Sequence, residues 1–352
     1  MAAAEFRIPS LDGIRGLAAL TVFVSHVGMR DIIPGGFGVT VFFFLSGFLI
    51  TTLLRREWEK SRDISLKHFY LRRAFRIWPP MYIVLLILMI PFVNGLSQSP
   101  VTPAALAAQF LQYTNYYVIV ASDAHLIPGA CPMWSLAVEE HFYLLFPLGL
   151  LFMLRRDYNY ARIGRILLGV CAAVLAWRCI LVFGFGVGEG YTFLATDTRL
   201  DSMLYGCVLA IVANPSLDKQ ALRFSDRTWM GLVVAGFALL LFCFVYRHPQ
   251  FRETFRYSLQ GIALAPLFFA AVRYSHWPLF RWLDHPVMRA LGLISYTFYL
   301  IHITALSFVE RYVHGSWWVH ASLGFLLSVA FSAAMYFLVE RRLGALRRRL
   351  RS

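Results

Sequence analysis

The run Ile14–Met29, IRGLAALTVFVSHVGM, decides how this chain is read. It is apolar along most of its length, yet it carries Arg15 near its start and His26 near its end. A membrane helix can dispense with both groups, so each needs a reason. At ~100° and ~1.5 Å per residue the two side chains fall on one helical face, roughly 16 Å apart, about half the thickness of a bilayer core. A permanent charge near one surface and an imidazole near mid-membrane, aligned on one wall, suit a channel that holds a long anionic molecule while chemistry happens at its tip.

The whole chain shares this apolar character. Of its 352 residues 59% are hydrophobic and only 15% charged, and the mean hydropathy is +0.61. That balance excludes an ordinary soluble globular domain and indicates an all-α, polytopic membrane bundle. The net charge of +14 does not indicate nucleic acid, because the basic residues sit in short loops between apolar runs. Five cysteines without metal-ligand spacing imply neither a disulfide framework nor a metal site. Four of them lie inside apolar runs, and Cys131 is the loop exception. The first run lacks a small-residue cleavage pattern and contains Arg15, so it is expected to be retained.

Apolar runs fall at about 14–29, 37–54, 77–93, 103–120, 135–154, 166–184, 199–213, 228–246, 257–272, 290–310 and 318–339. The loop holding Arg55, Arg56, Lys60, Arg62, Lys67, Arg72, Arg73 and Arg76 must be cytoplasmic, which puts the N-terminus inside as well. If 103–120 crossed, later basic clusters would fall outside. If it does not, 26 of the 33 Lys and Arg lie inside, the basic tail 341–352 among them. The expectation is therefore one membrane domain over 1–352, with about ten transmembrane helices and both termini cytoplasmic. An external segment from Asn94 to Met133 then contains a surface-lying or re-entrant helix, with Gln109, Gln112 and Asn115 at the interface.

This topology sets the depth of the intramembrane polar residues. His26, Glu139, Glu140, Arg178, Arg199, Asp201 and His302 all fall in the outer half of the membrane. Ionisable groups at such depth normally face a cavity. A structural ion pair is the competing explanation for Arg178 or Arg199 against Glu139, Glu140 or Asp201. His26 is the favoured general base. Ser295, Tyr299 and His302 form a stripe at i, i+4 and i+7, read either as a polar lining for substrate or as an interhelical hydrogen-bonding face. Glu139 and Glu140 diverge by ~100°, and Glu139 is expected to face the site because it shares a face with Ser135 and Tyr143, and to serve catalysis by orienting His26 or binding the acceptor. On the cytoplasmic side Arg72, Arg73 and Arg76 form a candidate phosphate clamp. A proton-coupled transporter is the rival reading, since carboxylates and histidines at mid-depth also serve proton relays.

The chain resembles the acyltransferase-3 family of integral membrane acyltransferases across nearly its whole length. The resemblance rests on Leu11-Asp12-Gly13-Ile14-Arg15-Gly16 with His26, on Phe42 to Phe48, and on Arg72-Arg73 with Arg76, Ile77 and Pro79. It extends to Trp134-Ser135-Leu136 with Val138-Glu139-Glu140 and Phe142-Tyr143, to Arg199 and Asp201 with Gly206, and to Gly292, Ile294-Ser295-Tyr296, Tyr299 and His302. It departs from the family at Thr40, where many members carry an acid, and at Glu340-Arg341-Arg342, where a proline is common. The resemblance implies transfer of an acyl group, commonly acetyl, from cytoplasmic acyl-coenzyme A to a hydroxyl of an extracytoplasmic glycan or glycosylated metabolite, in a bacterial cytoplasmic membrane. It further implies His26 as the base, Arg15 on the donor path, and Arg72, Arg73 and Arg76 near the donor phosphates. The esterase-like domain that some members append is expected to be absent, and no metal is needed.

Overall fold

The computed structural model describes residues 8–29, 32–94, 100–218, 222 and 224–344. Arg7 and most of the basic tail lie outside the described residues. Within them the chain is helical, with no strand. Its long helices are α1 (Leu11–Val24), α2 (Gly35–Ser61), α3 (Leu66–Val93), α4 (Met133–Arg155), α5 (Tyr160–Cys179), α6 (Thr196–Val212), α7 (Asp226–Val245), α8 (Phe255–Arg273), α9 (Pro286–Tyr312) and α10 (Trp317–Met335). Eight are long and apolar enough to cross a membrane. The other two, α1 with 14 residues and α6 with 17, are shorter and packed against the rest of the bundle.

The run 103–120 does not form one helix. It breaks into Pro103–Phe110 and Thr114–Ala121, each of 8 residues and so ~12 Å long. Pro103 opens the first behind Thr102, whose side chain caps the Ala105 amide. Gln112, at φ 62, interrupts the chain before the second. The expected interfacial placement of Gln109, Gln112 and Asn115 is corrected, because all three are buried in protein. Asn115 donates to the Leu194 carbonyl and Thr196 Oγ1 at 3.2 and 3.0 Å, and the Gln109 side-chain oxygen accepts the Ile127 amide at 3.3 Å. The Asn115 bonds tie this segment to the head of α6, and the Gln109 bond braces it internally.

The bundle is organised around α2. Its spanning core is 72% buried, against 22% for α10. One face of α2, with Val39, Phe43, Ile50 and Leu54, packs with Val138 and Phe142 of α4 and with Met203 and Cys207 of α6. Another, with Val41, Phe44, Leu45 and Phe48, packs with Trp229 of α7 and Phe268 and Phe269 of α8. Without a hydrophobic drive between helices in lipid, such contacts depend on close backbone approach through small residues. Gly47 and Gly206 supply it where α2 crosses α6: a Cβ on Gly47 would be driven into the Met203 carbonyl, and one on Gly206 into the Phe44 carbonyl. At the α1–α9 crossing Gly292 faces the Asp12 carbonyl in the same way.

Two outcomes follow. Gly206→Val should lower the thermal unfolding temperature in detergent, at a cost of about 1–3 kcal/mol, whereas Gly149→Ala, whose Cβ would meet nothing within 4 Å, should leave it unchanged. An epitope inserted after the exposed Ala124 should be reached only from the external face, and one after Asp157 only from the cytoplasmic face. The opposite pattern would overturn the topology.

Candidate functional site

Two cavities meet inside the bundle. The smaller, about 80 Å³, is lined by Arg15 of α1, Ser46 of α2, Arg73 and Arg76 of α3, Ser135, Glu139 and Tyr143 of α4, and Ser295, Tyr296 and Tyr299 of α9. Positions 135, 139 and 143 stand one turn apart, so a single face of α4 supplies all three. Glu139 accepts from Tyr143 Oη at 2.6 Å and from Ser46 Oγ at 3.1 Å, and the Ser46 and Tyr143 hydroxyls lie 2.9 Å apart. The Arg73 guanidinium stands 5.1 Å from the centre of the Tyr143 ring. Arg15 has Asp12 at 3.5 Å, one turn earlier on its own helix. Three guanidinium groups therefore share one chamber with one carboxylate, which suits it to a polyanionic ligand.

The larger cavity, about 620 Å³, holds His26 and His302. It is ringed by residues from the α1–α2, α4 and α5–α6 approaches, among them Pro34, Cys131, Pro132 and Glu189, and by Arg247 and Arg252 beyond α7. These are the connections that charge patterning assigns to the external side. Beyond Val24, α1 continues as a π-helical turn, Ser25–Met29, which is kinked at Val27 and at Gly28, whose φ is 90. That turn presents His26 to the cavity. Its Nδ1 lies 2.8 Å from the Val22 carbonyl. His302 Nδ1 lies 2.7 Å from the Tyr299 carbonyl. A carbonyl only accepts, so each Nδ1 carries the hydrogen and, in the neutral ring, each Nε2 is left as a lone pair. The rings are 5.0 Å apart, edge to face. His302 Nε2 is buried with no protein partner. Cys131, which also lines this cavity, has its thiol pushed up to about 11 by burial and by nearby Asp123, so at neutral pH its nucleophilic thiolate is scarce.

The sequence-predicted layer is thus divided. Glu139 lies in the smaller cavity and bonds to Ser46 and Tyr143; it does not orient His26, because its face of α4 turns toward α2 and α3. Arg72 leaves the arginine cluster and pairs with Glu57 at 3.1 Å. Glu140 lines neither cavity. Arg178 and Asp201 realise the ion-pair alternative. The guanidinium donates to both Asp201 oxygens at 2.8 and 2.7 Å, to Ser258 Oγ at 2.6 Å, to the Thr254 carbonyl at 3.0 Å and to the Thr198 carbonyl. All its donors are spent joining α5, α6 and α8. Arg199 donates to Thr40 Oγ1 at 2.9 Å and lies 3.9 Å from the Tyr257 ring centre.

Sequence reasoning missed Tyr257, Gln260 and Arg256 in the larger cavity. Arg256 and Gln260, at i and i+4 at the head of an apolar run, were the available signal. Among the described residues no group of three or more His, Cys, Asp or Glu is placed to hold a metal ion.

Residues 8–337 match the family model described as an acyltransferase domain. The chain belongs to the acyltransferase-3 family. Relatives include the O-acetyltransferase OatA of Staphylococcus aureus, 30% identical over 316 residues, or 87% of this chain and 51% of the relative. A Staphylococcus aureus COL protein named for the same reaction class is 28% identical over 343 residues, or 95% of this chain and 56% of the relative. The chain spans about half the length of these curated relatives. No solved structure matches it. Family membership and the eight apolar helices make it an integral membrane protein.

For this family member, Arg178→Met should cost about 3–5 kcal/mol by leaving Asp201 buried and unpaired. The double change Arg178→Met with Asp201→Leu should recover most of that loss in a detergent unfolding experiment, while Asp201→Leu alone should not.

Proposed function

We propose that the chain is an acyl-coenzyme A-dependent O-acyltransferase of a bacterial cytoplasmic membrane, moving an acyl group, acetyl first among candidates, from the cytoplasmic side to a hydroxyl of an external glycan or glycosylated metabolite. The observation that carries this reading is the meeting of an arginine-lined chamber and a histidine-lined chamber inside one bundle, with residues Val39 and Tyr299 lining both. The names of the O-acetyltransferase relatives support the reaction class.

The donor's phosphates dock at the end of the small cavity marked by Arg73 and Arg76, with Arg15 along the donor path; Arg72 holds Glu57 beside them. Guanidinium groups suit this role because they bind phosphate oxygens in pairs and stay charged when buried. The separation of Arg15 from His26, roughly 16 Å along the helix, then sets how far the extended pantetheine arm has to reach. Glu139 balances the arginines and, with Tyr143 and Ser46, presents a hydroxyl-lined wall to the donor. Arg178, Asp201 and Glu140 serve the frame, and Arg199 supports the wall of the acceptor chamber through Tyr257.

His26 Nε2 takes the proton of the acceptor hydroxyl as the oxygen attacks the thioester carbon. The C–O bond forms, the C–S bond breaks, the thiolate leaves on the donor side, and His26 returns its proton to external water. The larger cavity, with Trp134, Phe193 and Tyr257 in its walls, offers ring faces on which a sugar can stack. His302 and Ser295 complete the polar lining.

Membrane vesicles given labelled acyl-coenzyme A and cell-envelope glycan test this. The parent should transfer label, and His26→Ala should slow transfer by about 10²–10⁴-fold. Arg73→Ala should raise the donor KM more than it lowers kcat. Equal transfer by parent and His26→Ala would remove the base assignment, and solute uptake without any acylated product would favour proton-coupled transport.

A further inference from the structure

We propose that the Tyr299 hydroxyl is the group that stabilises the oxyanion formed on the thioester carbonyl, a role that rests on the acyl-transfer reading above. The argument begins with position. An acyl group passing from one chamber to the other has its reacting carbon at their junction. The residues lining both cavities are Val39 and Tyr299, and of these only the tyrosine side chain carries a polar hydrogen.

Hydrogen-bond accounting supports the same assignment. Tyr299 Oη lies 2.8 Å from Ser135 Oγ and 3.3 Å from the Pro132 carbonyl, and Ser135 Oγ lies 3.1 Å from that same carbonyl. Three oxygens form three edges, but the two hydroxyls bring only two hydrogens. Either Tyr299 donates to Ser135 and Ser135 to the Pro132 carbonyl, or Ser135 donates to Tyr299 and the tyrosine hydrogen rests on the 3.3 Å edge; from both, Ser135 can donate to Tyr299 while the tyrosine hydrogen turns outward, at the loss of one bond to that carbonyl. Turning that hydrogen to a substrate oxygen exchanges one hydrogen bond for another. Ser135 lines the donor chamber but not the acceptor chamber, so its natural part is to hold Tyr299 in place.

The phenol is also fixed in place. Tyr299 and Ser135 are buried, the Phe42 ring packs edge-on 6.0 Å away, and the Tyr299 carbonyl is held by His302 Nδ1 at 2.7 Å. A preorganised donor held in a protein interior of low dielectric is worth more to a developing negative charge than the same donor in water. During attack the carbonyl π pair moves onto oxygen, which accepts a hydrogen bond from Tyr299 without taking its proton. On collapse the pair returns, the C=O re-forms and the C–S bond breaks. Tyr299 is unchanged over the cycle.

The test compares Tyr299→Phe, Ser135→Ala and His26→Ala in vesicles with labelled acetyl-coenzyme A and glycan, reading kcat, donor KM and detergent unfolding. Tyr299→Phe should lower kcat by about 10²–10³-fold with donor KM and unfolding close to the parent. Ser135→Ala, which keeps the phenol, should lose less than about tenfold. A Tyr299→Phe enzyme with parental kcat, or one whose loss is matched by Ser135→Ala and by weakened folding, overturns the assignment. If Tyr299→Phe does not fold, 3-fluorotyrosine at 299, a stronger donor of the same shape, should raise kcat, and an unchanged kcat overturns the assignment. Label transfer by the parent that is lost in His26→Ala leaves the acyl-transfer reading standing whatever Tyr299 does, and a parent without transfer removes both.

Discussion

The constraint on which this structure depends is the cost of a charge in a low-dielectric interior. A buried ion persists only when its partners replace water. The Arg178 guanidinium meets that condition completely, spending its hydrogens on Asp201, Ser258 and two backbone carbonyls. Three helices are tied by that one group, and α5 and α8 can then pack against α6 without burying an orphan. Arg55 does similar work at the other end of α6, where it donates to the Ala210 and Ile211 carbonyls and to Asp218. With Arg178 and Arg55 satisfied in place, Arg15, Arg73, Arg76 and Glu139 are left to line a chamber.

That division separates two kinds of buried charge which look alike in a sequence. Arg15, Arg73 and Arg76 outnumber the carboxylate in their chamber, and Glu139 is held by two hydroxyls instead of a guanidinium fork. An excess of positive charge next to a cavity is costly when the cavity holds nothing and favourable when it holds phosphates. The Arg178–Asp201 cluster, by contrast, is neutral and closed, and no ligand would improve it. The distinction between a binding charge and a structural one thus lies in its remaining hydrogen-bond capacity, not in its depth.

Much of the fold was legible in the sequence for the same reason. Apolar length and loop charge located the helices, and counting basic residues on each side argued against 103–120 as a span, but its break into two short helices was not foreseen. The arginines on α1 and α3 and the histidines on α1 and α9 were visible as polar residues that the helices had no need of. Azimuth was not legible. Depth along an axis follows from counting residues, but which neighbour a face meets depends on packing angles that no single helix encodes. Glu139 was assigned the right helix and the wrong chamber, and Arg72 the right cluster and the wrong direction. Gln109 and Asn115 looked interfacial because polarity reveals a need for partners without saying whether water or backbone supplies them.

The end of α1 shows how closely frame and site are coupled. A helix that stops within the bundle leaves carbonyls without intrahelical donors, and in a membrane protein those carbonyls need side chains. At the π-helical turn the Val22 carbonyl accepts from Ser25 Oγ at 2.7 Å and from His26 Nδ1 at 2.8 Å. The His26 bond to that carbonyl fixes the tautomer and leaves Nε2 as a lone pair toward the larger cavity. A kink that costs backbone regularity is here the means by which the His26 ring is turned into the larger cavity.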